Sequence, residues 1–358
     1  MEYRQGSLEN MVIPSRTNKS YWRGKLVFVT GVTGFVGSSL TAKLLELGAK
    51  VVGLIPDEPR FSNFYLIRLD KKITIVRGHL ESHRTLQRVI QKYKFDVVYH
   101  LGAQAIVGKA NSDPVPTFQT NIRGTWNLLE ACRPHNNIKA IVIASSDKAY
   151  GTHKILPYKE HYPLQPEHPY DTSKACADLI AQTYYKFYGL PVVITRFANI
   201  YGPGDLNFSR IIPDTIRSVL NGKYPVIRSD GTPERDFLYI NDVVDLYLLL
   251  AEKIKLTKGE ILNAGHNKPI RILDLVKTII RLAGKKNLRP RIQGKGKLRG
   301  EIDRQWLNAK KVKRLLGWSP NVMLKQGLQK TIEWHYKIHR TLKTYGKYGR
   351  GLDNGKRG

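Results

Sequence analysis

Cysteine is nearly absent: Cys132 and Cys176 are the only two in 358 residues. Two thiols build no disulfide framework, and neither stands in a metal-ligand cluster, so both read as packing residues of a reducing compartment. No long apolar run occurs, which excludes a transmembrane helix of about 20 residues. Met1 to Ser20 is polar and mixed in charge, without the apolar stretch of a secretory signal. A cytoplasmic protein with no membrane partner is expected. Acids are scarce too: 29 against 59 lysines and arginines, a formal charge of +30. That balance suits polyanion affinity, an anionic small substrate or a solvated basic surface. The densest cluster, Lys337, Arg340, Lys343, Lys347, Arg350, Lys356 and Arg357, lies in a Gly- and Tyr-rich tail. With no reading helix and no zinc pattern, no specific nucleic-acid partner is expected.

What is present is globular. Hydrophobic residues make up 41% and charged residues 25%, enough for one large core or a core with a second lobe. Lys25–Thr30, Lys50–Ile55, Ile73–Val76, Asp96–Leu101, Ala140–Ala144 and Val192–Thr195 are short apolar runs that read as strands. Ser38–Leu47, Thr85–Tyr93, Thr117–Cys132 and Ser173–Phe187 carry helical spacing between them. The alternation predicts an α/β fold: a doubly wound parallel sheet of Rossmann type, covered on both faces. After Tyr201 glycine, proline and charge thicken and strands thin out, which predicts a smaller C-terminal substrate-binding lobe. The expected division is an N-terminal extension (1–22), a dinucleotide-binding part (23–200 and 236–265), a substrate lobe (201–235 and 266–340) and a basic tail (341–358).

The first strand runs into Gly31-Val-Thr-Gly34-Phe-Val-Gly37 and then a helix. Glycines permit a tight turn and a close approach to a pyrophosphate, and the helix start offers N–H groups and a positive dipole end. About twenty residues on, Asp57 and Glu58 suit a ribose 2′-hydroxyl, whereas Arg60 suits a 2′-phosphate. NAD is the expected cofactor and NADP the alternative.

Pro169-Tyr170-Asp-Thr-Ser-Lys174 opens a helix after the fifth strand. Residues four apart share a helical face. A free tyrosine, with a pKa of about 10, is a poor base at neutral pH; a neighbouring ammonium favours the phenolate. Tyr170 therefore reads as the catalytic base, with Lys174 beside it and able to hold the cofactor ribose. The fifth strand ends in Ser145-Ser146-Asp147-Lys148, and sites in open α/β sheets lie at the carboxyl ends of strands.

Together with Asn121 in Thr-Asn-Ile-Arg-Gly-Thr, with Arg196-Phe-Ala-Asn199-Ile-Tyr-Gly-Pro-Gly and with Arg235-Asp236 in Glu-Arg-Asp-Phe-Leu-Tyr, these motifs resemble the extended short-chain dehydrogenase/reductase family acting on nucleotide sugars. The likeness runs from about Tyr21 to Tyr336. Within the family, Ser146-Asp147-Lys148 and the start Tyr21-Trp-Arg-Gly-Lys resemble 4,6-dehydratases of the CDP-glucose type. Arg235-Asp-Phe-Leu-Tyr is more like other dehydratases and epimerases, and His79 stands where the family usually has an aspartate near the adenine.

The resemblance implies an NDP-sugar 4,6-dehydratase, with a 4-epimerase or a non-catalytic basic binding protein as alternatives. It implies that Tyr170 takes the 4-OH proton as hydride passes from C4 to NAD, that water leaves across C5 and C6, and that hydride returns to C6. Ser146 would bond the 4-oxygen, Asp147 would protonate the departing hydroxyl, and Lys148 would act as C5 base or stabilise the enolate. The implied cofactor contacts are Gly31, Thr33, Gly34, Phe35, Val36 and Gly37 around the turn, Asp57, then Leu101, Ala103, Asn121, Tyr170 and Lys174. Ser146, Asn199, Arg210 and Arg235 would hold the substrate and its diphosphate, with Glu301 and Arg304 facing the nucleoside. Family members pair through the helices at Thr117–Cys132 and after Tyr170, so a homodimer is expected.

Overall fold

The computed structural model describes residues 17–344 except 57–61, 295 and 297–301. Six strands, β1 (Leu26–Thr30), β2 (Lys50–Ile55), β3 (Thr74–Arg77), β4 (Val97–His100), β5 (Ala140–Ala144) and β6 (Val192–Phe197), match the six apolar runs. A seventh, Ile261–Ala264, completes a wholly parallel sheet in the order Ile261–Ala264, β6, β5, β4, β1, β2, β3. The apolar pattern does not reveal it, because Ile-Leu-Asn-Ala is short and carries a polar residue. Asn263 is nonetheless fully buried: its amide accepts the Tyr150 hydroxyl at 2.8 Å and donates to the Tyr158 carbonyl at 3.1 Å.

The two-residue period of each strand sorts its side chains onto opposite faces. Val27, Val29, Val97, Tyr99, Val142 and Val193 pack on one face, with the helices Phe35–Glu46 and Ile240–Glu252 over them. Phe28, Val98, Ile141, Ile143, Val192 and Ile194 pack on the other, under His83–Lys92, Gly124–Cys132 and Pro169–Tyr188. Both faces are apolar, so the strands read as continuous hydrophobic runs.

The segment expected as one helix over Thr117–Cys132 has three parts. A short helix, Pro114–Phe118, enters a wider π-turn at Gln119–Arg123 and continues as Gly124–Cys132. Beyond Tyr201, the helices Ile211–Leu220, Ile272–Leu282 and Leu324–Thr344 carry strands of two or three residues. Glu234–Arg235 lies between Ile270–Arg271 and Arg304–Gln305. The apolar core is continuous from the sheet into this part, through Ile212, Ile216, Leu275, Ile279 and Leu328. Among the described residues no helix is long and apolar enough to cross a membrane.

Candidate active site

β1 and β4 are neighbours, and the chain winds away from them in opposite directions. The crevice at their carboxyl ends is therefore a topological switch point, where α/β sheets bind ligands. Gly31 sits there at φ +70°; a Cβ on it would lie 2.6 Å from the Gly102 nitrogen and 2.8 Å from the Leu101 carbonyl carbon. A Cβ on Gly37 would collide with the Gly31 carbonyl oxygen. Gly34 caps the following helix with no side-chain bond, which leaves the first N–H groups open to an anion. This cradle fits the pyrophosphate of a dinucleotide. Thr33, Phe35 and Val36 are partly exposed around it, as are Leu101 and Ala103 on the facing strand end. Asp57, Glu58, Arg60 and Glu301 lie outside the described residues. His79 is exposed at the end of β3.

Behind the cradle lies His100, buried at the end of β4. The Thr125 hydroxyl donates to the Asn121 carbonyl at 2.6 Å, so toward His100 Nε2, 3.0 Å away, it can only accept. Nε2 therefore carries the proton, and Nδ1 accepts from the Thr30 hydroxyl at 2.8 Å. Thr30 in turn accepts the Gly102 N–H at 3.1 Å. The chain of bonds ties the glycine turn to the π-turn. Burial, aided by the Lys174 charge, pushes the His100 pKa down to about 3. The ring is thus neutral when folded but takes a proton below about pH 6.5 when unfolded. Its contribution is present above that pH and is lost as pH falls through about 6.5 toward 3. Asp147 and Asp236, raised to about 6, act in the opposite sense. We expect His100→Gln to flatten the acid limb: between pH 7 and pH 5 wild type should lose about 2 kcal/mol more than the variant. Urea unfolding at both pH values measures this, and equal losses would remove His100 from the account.

Asn121 lies in the π-turn and bonds within the protein. Its Nδ2 donates to the Gln104 carbonyl (3.1 Å) and the Ser173 hydroxyl (2.8 Å), and its Oδ1 accepts the Gln104 N–H (2.7 Å). Both amide protons are spent within the protein, and Ser173 donates onward to the Tyr170 carbonyl at 2.7 Å. Asn121 is a clamp between the loop after β4 and the Tyr170 helix, and its side chain has no donor left for a cofactor.

Ser146 caps the 3₁₀ turn Asp147–Tyr150 by accepting the Lys148 N–H at 3.2 Å, and its hydroxyl donates to Asp147 at 3.2 Å. Asp147 is buried, and its second carboxyl oxygen has no partner among the described residues. Burial raises its pKa to about 6, against the lowering pull of Lys148, the Ser146 bond and Arg235. Lys148 is half-buried and acts on both Asp147 and Asp171. Ser146, Asp147 and Lys148 thus lie in and beside the 3₁₀ turn that follows β5.

The Tyr170–Lys174 pair departs from expectation in one respect. Both lie on the helix Pro169–Tyr188, but the Lys174 ammonium donates to the Ala144 carbonyl at 2.5 Å, and the largest effects on Tyr170 come from burial and from Arg210, Asp171 and Asp147. Burial raises the phenol to about 12; Arg210 and a bond with Ser146 lower it, while Asp171 and Asp147 raise it. Burial also lowers Lys174 to about 8. Desolvation outweighs the partner effect read from the four-residue spacing.

On the substrate side, Arg235 is buried and reaches the Asp147 field. Arg210 sits at the start of Ile211–Leu220, 41% exposed and 3.2 Å from Asp205, and acts on Tyr170. Asn199 donates to the Asp236 carbonyl at 3.3 Å. Arg304 pairs with Glu234 at 2.9 Å, stacks over Trp306 and is 63% exposed. Arg304 is in register with Glu234 and Gln305 with Arg235. Strand alternation therefore sets Arg304 on the face opposite Arg235. His100, Gln104, Asp171 and Asp178 join the site without having been singled out in the sequence. Only Asp178 carries a signal there, four residues beyond Lys174 on the same helical face.

Residues 28–331 match the family described as GDP-mannose 4,6 dehydratase. The chain is 32% identical to the CDP-glucose 4,6-dehydratase of Salmonella typhimurium, over 89% of this chain and 92% of that protein. The structure is similar to dTDP-glucose 4,6-dehydratase from Bacillus anthracis in complex with NAD: TM-score 0.78, 30% identity, 90% of this chain and 99% of that one. It is likewise similar to UDP-glucose 4-epimerase with UDP-glucose from Thermotoga maritima: TM-score 0.81, 29% identity, 88% of this chain and 99% of that one.

Proposed function

From the premise that this chain belongs to the GDP-mannose 4,6 dehydratase family, we propose that it is a nucleotide-sugar 4,6-dehydratase. It converts an NDP-hexose to an NDP-4-keto-6-deoxyhexose and water. The observation that carries this reading is Asp147, a buried carboxyl raised to about 6 with one oxygen unpartnered among the described residues, beside the Ser146 hydroxyl. A departing 6-hydroxyl needs such an acid, and a 4-epimerase has no step that does.

Residues 23–200 and 236–265 hold NAD, and 201–235 with 266–340 hold the nucleotide end. Bound NAD supplies the hydride acceptor for C4 and the hydride returned to C6. Tyr170 removes the 4-hydroxyl proton while Ser146 bonds the same oxygen. Asp147 delivers its proton to the leaving 6-oxygen. Lys148 takes the C5 proton and gives it back to C5 once C6 is reduced, or stabilises the enolate as a cation while C5 exchanges its proton with water. Arg235, Arg210 and Asn199 meet the diphosphate. An anionic substrate also suits the net charge. The test is product analysis by mass and NMR with NAD and CDP-, GDP-, UDP- and dTDP-hexoses, CDP-glucose first. Loss of one water with a new C6 methyl is expected. An isobaric product would instead establish the epimerase reading, which the Thermotoga neighbour favours.

The enzyme is further proposed to be a homodimer. Trp126 on Gly124–Cys132 and Leu179 on the Tyr170 helix are 43% and 53% exposed, and the two helices pack side by side. Two such pairs form a four-helix bundle across a two-fold axis. Light scattering at micromolar concentration should give twice the chain mass, and Leu179→Arg should halve it. A monomeric wild type rules the dimer out.

A further inference from the structure

Tyr170, Lys174 and Asp178 succeed one another at four-residue steps on the helix Pro169–Tyr188. Tyr170 is the proposed base, Lys174 stands beside it to favour its phenolate and hold the cofactor ribose, and Asp178 has no role in that chemistry. Asp178 is fully buried, and its two oxygens accept Nε and Nη2 of Arg196 at 2.8 and 2.9 Å. Arg196, on β6, is itself 2% exposed; it lies over the Tyr150 ring at 4.6 Å and donates to the Glu160 carbonyl at 3.3 Å. Gln182 adds a bond to Asp178 at 2.9 Å. The carboxylate is therefore fixed in place by three hydrogen bonds from two side chains.

We propose that Asp178, clamped by Arg196, is a positioning residue that keeps the buried Lys174 ammonium charged for its work beside Tyr170. An ammonium out of water, with a peptide carbonyl for company, tends to shed its proton. Lys174 is 7% exposed, and its one bond among the described residues is to the Ala144 carbonyl. Tyr170 and Asp178 lie one helical turn to either side of it, neutral His100 on β4 feels its charge, and the end of β5 accepts its bond. Asp178 brings negative charge from the next turn of the same helix, where it opposes the effect of burial. Arg196 acts directly on the carboxylate. Its contribution is to hold Asp178 still and to satisfy an otherwise costly buried anion.

The role assigned to Lys174 rests on the proposed function; its protonation can be read without turnover. The experiment follows the Lys174 ¹³Cε resonance, assigned with Lys174→Met, through a pH titration of the cofactor-free protein. Asp178→Asn alone leaves Arg196 buried and unpaired, so the test uses Asp178→Asn with Arg196→Met, alongside Asp178→Glu. The Lys174 midpoint should fall by about one unit in the double variant and return toward wild type in Asp178→Glu. The pH profile of kcat/KM should move with it. A folded double variant whose Lys174 midpoint stays put overturns the proposal. A midpoint that falls while no nucleotide sugar is turned over upholds the proposal and removes the dehydratase reading instead.

Discussion

Tyr170→Phe is expected to abolish turnover, with a loss of at least about 10²–10⁴-fold, the usual effect of removing a positioned acid or base. Phenylalanine keeps the ring and loses only the hydroxyl, so packing should hold and the melting temperature should stay within a few degrees. Nucleotide-sugar affinity should change little, because the phosphate-binding groups proposed here, Arg235, Arg210 and Asn199, are untouched. The structure also indicates what the hydroxyl must overcome. Burial holds the phenol at about 12, a worse base than free tyrosine. A cation brought close reverses that shift, and Lys174 lies one helical turn away with its ammonium turned to Ala144. Lys174→Met should therefore raise the pH needed for proton removal as well as slow it. Turnover, calorimetric melting and thermal shift with the substrate separate these effects. Near-normal turnover in Tyr170→Phe sinks the assignment of the base.

Much of the fold and part of the site are legible in the amino-acid sequence. Strands buried on both faces announce themselves as apolar runs, and the glycine turn follows from the geometry that only glycine allows at Gly31. The loop Ser146-Asp147-Lys148 stands out because strand ends are where such sheets put their sites. Three things stay hidden, each because it depends on contacts distant in sequence. The strand Ile261–Ala264 is recognisable only once Tyr150 and Tyr158 are seen to satisfy Asn263. His100 is one polar residue in an apolar strand until Thr30 and Thr125 close on it. Arg304 has the right charge in the right stretch of chain, but a one-residue step along a strand reverses its face, and Glu234 holds it there. The weakening of the Tyr170–Lys174 coupling is of another kind. Spacing predicts proximity on a helix, but whether a charge or its desolvation wins is decided by the surrounding burial.

Asp147→Asn should uncouple the two halves of the proposed reaction. Oxidation at C4 uses Tyr170 and Ser146, whereas water loss needs a proton for the departing 6-oxygen. Asparagine has nearly the same shape, can still accept from Ser146, and cannot serve as an acid. We expect elimination to slow by about 10²–10⁴-fold and C4 oxidation to change by no more than a few-fold. Single-turnover mass analysis should then catch a 4-keto hexose that retains its 6-hydroxyl, a species wild type does not accumulate. The pH dependence has a definite sign. Asp147 acts in its protonated form, and its pKa is raised to about 6, so the wild-type elimination step should weaken as pH rises past about 6 and the residual rate of the variant should not. Lys148→Met supplies the complementary result, slower exchange of the C5 proton in deuterated water with C4 oxidation intact. Should both variants lose oxidation and elimination together, or lose neither, the acid and the base have no separate step to serve. The pair Asp147–Lys148 then belongs to substrate binding, and the epimerase reading takes the place of the dehydratase.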